Sequence, residues 1–134
     1  MGSTRKTIRE ALAAIFVTAD DFNVVYAYAP VDLQGMDQVL AIYADTTHHE
    51  RESYASQHNF YTFVLDVYVK RASGETTEDT LDTLHEAIRD TVYDNQSNAN
   101  WDWLKLEPSD AYFAEISGVA YRVESHKLAL KETT

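Results

Sequence analysis

The sequence predicts an α+β domain, a mainly antiparallel sheet of about five strands with two helices packed on one face. Three observations predict it. From Phe60 to Lys70 the residues alternate, with Tyr61, Phe63, Leu65, Val67 and Val69 on one face and Thr62, Asp66 and Lys70 on the other. Residues 4–19 and 77–94 carry apolar side chains at helical spacing, each as a single stripe that must pack on something. The β-prone runs follow one another instead of alternating with helices, which favours antiparallel pairing over parallel crossover units.

In order along the chain, Ser3 or Thr4 can cap the first helix, whose stripe is Ile8, Leu12, Ile15 and Phe16. Asp20 to Asn23 is a turn. Val24 to Tyr28 is a short strand stopped by Pro30, and Gln38 to Ala44 reads as a second strand. Residues 46–58 are polar and without period, so they are expected to be a long mobile loop that a neighbouring chain orders. The third strand follows, and Gly74 lies in the connection after it. Thr76 or Thr77 is the expected cap of the second helix, with Leu81, Leu84, Ile88 and Val92 as its stripe. Trp101 to Leu106 reads as a strand ended by Pro108. From Ala114 the chain alternates again through Ile116, Val119, Tyr121 and Val123, then Leu128 and Leu130. Gly118 allows a bend, and Ser125-His126 is either a second bend or the middle of one long strand.

No repeat, low-complexity tract or Pro/Gly-rich linker divides the 134 residues, so one domain over 1–134 is expected. The absence of cysteine excludes a disulfide framework, a thiolate nucleophile and any Cys-based metal site. No apolar run reaches the roughly 18 residues that span a bilayer, and no membrane contact or signal peptide is expected. Eleven basic against 22 acidic residues give a net charge of −11, which disfavours binding to nucleic acid phosphates. A scattered acidic surface suits simple solvation, and equally a surface past which DNA slides without sticking.

His48, His49, Glu50 and Glu52, with His58 beyond, form the one metal-like run, but without a recognised ligand spacing. Asp66 and His85 would make an acid–base pair only if the second helix crossed the third strand on the Asp66 face, opposite the face expected to meet the helix. No nucleophile elbow, phosphate-cradling loop or dinucleotide fingerprint is present. The residues therefore imply no catalytic group, no metal and no cofactor. Nine tyrosines are many for this length. Core packing is their default role, yet tyrosine on both faces of a sheet also suits a face covered by another chain.

The segments Phe60 to Val69, Thr80 to Val92, Trp101-Asp102-Trp103-Leu104 and Ile116 to Glu124, taken in order, resemble the tail terminator (tail-completion) proteins of long-tailed phages, of the minor tail protein U type. The resemblance covers nearly the whole chain and is one of element pattern. It implies a structural virion protein, assembled in the host cytoplasm. That protein forms a homo-hexameric ring at the head-proximal end of the tail tube and stops tube polymerisation. Its partners would be its own copies, the tail tube protein and the head–neck connector, with genome DNA passing through the lumen without specific binding. His48, His49, Glu50, Arg51, Glu52 and Tyr54, with Tyr43 and Tyr68, are then the expected interface residues. An acidic DNA-mimicking inhibitor and a small α+β ligand-binding or enzyme domain using Asp66, His85 or Tyr68 are the alternatives.

Overall fold

A computed structural model describes residues 4–51 and 53–134. Thr4 opens helix α1 (Arg5–Ala19), its hydroxyl accepting from the Thr7 amide at 3.1 Å. Ile8, Leu12 and Phe16 recur every fourth residue and are fully buried, which is the stripe the spacing requires. Asp20, left-handed at φ 58°, ends the helix by returning its N–H to the Phe16 and Val17 carbonyls. Ser3, the other expected cap, lies outside the described residues.

The sheet has six strands, one more than expected: β1 (Val24–Tyr26), β2 (Val39–Arg51), β3 (Gln57–Lys70), β4 (Trp103–Leu106), β5 (Asp110–Ile116) and β6 (Val119–Thr133). Its order is β1-β2-β3-β6-β4, with β5 also paired to β6, and every pairing but the parallel β1–β2 is antiparallel. The extra strand arises because the stretch from residue 110 to 133 is a hairpin. Ser117 and Gly118, both at positive φ (51° and 80°), make the two-residue turn that matches the strands' twist. Beyond it β6 runs unbroken through Ser125-His126.

β4 and β5 line the same side of β6. Leu106 faces Leu128, whereas Asp110 faces Ser125, so the edge holds one residue more than β6 across the join at Glu107-Pro108-Ser109. Pro108, without an N–H, sits at that bulge, where no ladder bond is lost.

The expected loop at 46–58 is corrected. β2 continues through a bulge at Asp45 to Arg51, and β3 begins at Gln57, pairing residue by residue down to Arg51 with Gln57. Among the described residues, 53–56 form the connection between the two strands. The segment hid its strands because its side chains face solvent on both sides of the sheet, so no apolar period marks it.

Helix α2 (Gly74–Asp94) begins earlier than expected. Ser73, not Thr76 or Thr77, is its cap, accepting from the Thr76 amide at 3.2 Å, while the Thr77 hydroxyl accepts from the Ala72 amide at 2.9 Å. Both helices pack on one sheet face. Ile8, Leu12, Phe16, Leu84 and Ile88 meet Ile42, Phe63, Leu65, Val67, Leu128 and Leu130 there. Trp101 closes the end of this core, buried and donating from Nε1 to the Asn95 carbonyl at 2.9 Å.

A second, smaller core lies on the other face at one end of the sheet. Leu33 from the β1–β2 connection covers Val39, Tyr121 and Val123. Tyr121 donates to the Met36 carbonyl at 2.8 Å, and Asp37 accepts from the Lys70 amide at 2.7 Å, pinning that connection. β6 thus buries odd-numbered residues (Tyr121, Val123) against one core and even-numbered ones (Leu128, Leu130) against the other, which explains the switch of phase in the sequence.

Candidate functional site

At the far end of the sheet from the second core, the helix-free face is uncovered. One register row crosses it: His48 on β2, Phe60 on β3, Lys131 on β6 and Trp103 on β4. The rings of Phe60 and Trp103 lie 6.5 Å apart, those of His48 and Phe60 6.2 Å apart, and Trp103 is 37% exposed. This is an aromatic surface in solvent, flanked by charge.

Beyond it, the β2–β3 turn presents Tyr54, wholly exposed, beside Arg51. Strand alternation divides the sequence-expected cluster. His48 and Glu50 share the helix-free face, 3.3 Å apart and both well exposed. His49 turns to the helix side, where its Nδ1 meets Asn59 Oδ1 at 2.6 Å. Asn59, buried, in turn donates to Glu132 Oε2 at 2.7 Å and to the Thr134 hydroxyl at 2.9 Å, so His49 is tied into the arm's own packing. Glu52 lies outside the described residues.

Tyr43 and Tyr68 stand half-buried on the helix-free face, turned onto Asp66. The Tyr43 hydroxyl donates to Asp66 Oδ2 at 2.6 Å, and that of Tyr68 reaches the same oxygen at 3.5 Å. Asp66 is itself buried. Burial, reinforced by the Asp66 carboxylate, pushes both phenols well above their ordinary value. Tyr112 is raised for the same reasons. Asp66 pairs with Ser125 across β3–β6, whereas His85 packs on the opposite face against His126, so the acid–base pair considered from sequence is not formed.

Both sides of the sheet end in open edges. β1 covers β2 only from Val39 to Ala41, and from Ile42 to Arg51 no strand lies outside β2 among the described residues. On the other side, the outer flank of β4 is likewise unpaired by any described strand. The two edges run in opposite directions and meet the same rows of the ladder.

One cluster escaped the sequence reading. His85 on α2, with Glu124 and His126 on β6, bring one ligand atom each to within 4.8 Å of one another, the metal-capable grouping among the described residues. His85 Nδ1 is 3.4 Å from Glu124 Oε2, and His126 Nε2 is 3.5 Å from Glu124 Oε1. The two imidazoles stack at 5.2 Å. The Ser109 hydroxyl donates to Glu124 Oε2 at 2.6 Å. His126 is fully buried, and that burial lowers its pKa; the Glu124 charge opposes the shift and His85 adds to it. The signal in the sequence was Glu124-Ser125-His126, which puts two ligand types on one face of a strand, provided the strand runs through that point.

No family model matches the chain, and no curated protein matches it. Among solved structures it is similar to a chain of the "Virion of native gene transfer agent (GTA) particle". The TM-score is 0.53 at 15% identity, covering 95% of this chain and 91% of that one. The two share a fold. No described helix is long and apolar enough to cross a membrane.

Proposed function

We propose that the chain is a structural protein of a virion. In the fuller form of this reading it is a tail terminator whose copies close into a ring, six by the resemblance, at the head-proximal end of the tail tube. The observation that carries the reading is the likeness of fold, over nearly the full length of both chains, to a chain of a virus-like particle. Such a ring ends tube growth and joins the tube to the head–neck connector.

The two open edges support a ring in physical terms. A long unpaired edge is a template for strand addition. Here the β2 edge of one copy and the β4 edge of the next are antiparallel and level with each other, so head-to-tail contact extends the sheet and brings Trp103 of one copy beside His48 of its neighbour. Head-to-tail contacts are heterologous and close into rings when the rotation per copy allows. The expected interface residues His48, His49, Glu50, Arg51, Glu52 and Tyr54 then contact a neighbour or the tube, with Tyr43 and Tyr68 on the helix-free face.

Native mass at micromolar concentration, with and without the tail tube protein, tests the reading. A ring, or capped tubes of fixed length, is the expected result. A chain that stays monomeric and leaves tube growth unaffected overturns it. Tyr54→Ala removes a wholly exposed ring that contacts nothing it stabilises. It is expected to leave the melting temperature unchanged while reducing assembly at least about tenfold, as loss of an aromatic anchor does; unchanged assembly would place the turn outside the contact. With a charge of −11, the ring's channel is expected to expose more carboxylates than Lys and Arg, so that DNA slides. A reconstruction with a channel lined mainly by basic residues would contradict this.

A further inference from the structure

We propose that His85, Glu124 and His126 form a binding site for a divalent transition-metal cation of the zinc class, fastening helix α2 to strand β6. The proposal does not depend on the virion reading.

Geometry carries it. Zinc binds imidazole nitrogen and carboxylate oxygen at roughly 2.0–2.2 Å, so two ligands on a tetrahedral ion lie about 3.3–3.5 Å apart. The two N···O separations here, from the imidazoles to the two oxygens of Glu124, are 3.4 and 3.5 Å, and one ligand atom from each of the three residues lies within 4.8 Å of the others, close enough for small side-chain adjustments to close them on an ion. The imidazoles reach Glu124 from two different elements, α2 and β6, so an ion at this point would cross-link the layers.

The chemistry of the donors agrees. Neither ring nitrogen of the fully buried His126 makes a hydrogen bond within the protein, and neither does the buried Nδ1 of His85. A buried polar atom without a partner costs about 1–3 kcal/mol, and a cation would satisfy one lone pair on each imidazole, His85 Nδ1 and one nitrogen of His126. The Ser109 hydroxyl holds Glu124 in place, the kind of outer support that ligating carboxylates receive. Two histidines and one carboxylate suit zinc, cobalt or nickel rather than calcium or magnesium, which prefer oxygen. Three protein ligands leave the fourth position of a tetrahedral ion to a water.

The test uses the full chain freed of metal by a chelator, titrated with Zn²⁺ in a calorimeter and with Co²⁺ in a visible spectrometer. Saturation at one ion per chain is expected, with ligand-field bands of a four-coordinate Co²⁺ and a melting temperature that rises with Zn²⁺. His85→Ala, at the accessible ligand, is expected to weaken binding by about 100-fold or more while the metal-free protein melts as before. Glu124→Gln should weaken it likewise, which keeps the test open if His126→Gln fails to fold. His48→Ala and His58→Ala, at the distant hairpin, should bind as the parent does. No binding, binding only to hairpin histidines, or binding unaltered in both His85→Ala and Glu124→Gln would each overturn the proposal.

Discussion

Raising the pH above about 10 is expected to destabilise the protein through its half-buried phenols. Tyr43 and Tyr68 are held above the ordinary tyrosine value by burial first and by the Asp66 carboxylate second. Tyr61 and Tyr121 are raised chiefly by burial as well. A group whose folded pKa is raised keeps its proton in the native state after the unfolded chain has released it. Its stabilisation is therefore complete below about pH 10 and is lost as the pH rises past that point. Because both phenols are only half-buried, the slope is expected to fall below the roughly 1.4 kcal/mol per pH unit that each would give if fully shifted. Denaturant midpoints measured from about pH 8 to about pH 12 check this. Asp66→Asn, which removes the charge and keeps an acceptor for Tyr43, should make the decline shallower. A midpoint constant over that range would show that the cluster opens to water at little cost.

Trp101→Ala is expected to cost about 3–5 kcal/mol. Trp101 is 2% exposed and occupies the gap between the end of α2 and the sheet. Its indole N–H also engages the Asn95 carbonyl at the α2 terminus, one of the groups a helix cannot satisfy internally. Truncation leaves a cavity and an unpaired carbonyl together. Thermal melting of the metal-free chain measures it. A fall of only one or two degrees would mean that residues 95–101 collapse into the gap.

Elements that bury one face were readable from sequence, because burial writes a period into the residues. The stripe of α1, the alternation of β3 and the stripe of α2 are all of this kind. The hairpin arm was not readable: its strands carry Thr46 to Arg51 exposed on both sides, and hydrogen bonding alone leaves no hydrophobic signature. β6 failed differently. It packs against a different core at each end, so its alternation changes phase, and a single strand resembled two. With that strand divided at Ser125-His126, Glu124 and His126 could not be placed on one face, and their meeting with His85 stayed hidden. Of the expected interface residues, Tyr54 and Arg51 are exposed, whereas His49, Tyr43 and Tyr68 have partners within the chain.

The place of β6 in the sheet has a bearing on how the chain acquires its shape. This strand leaves the ribosome after β1 to β5, yet it lies between β3 and the β4–β5 edge. Until it arrives, β3 has an unpaired flank, β4 and β5 have nothing to join, and neither core can close, since both draw side chains from β6. The nascent chain can form its helices and the β2–β3 hairpin locally, but the step that makes the native fold joins residues about 70 positions apart, such as Tyr61 and Leu130. The native structure thus waits for β6, and a chain interrupted before it would expose apolar surface and strand edges to whatever is nearby.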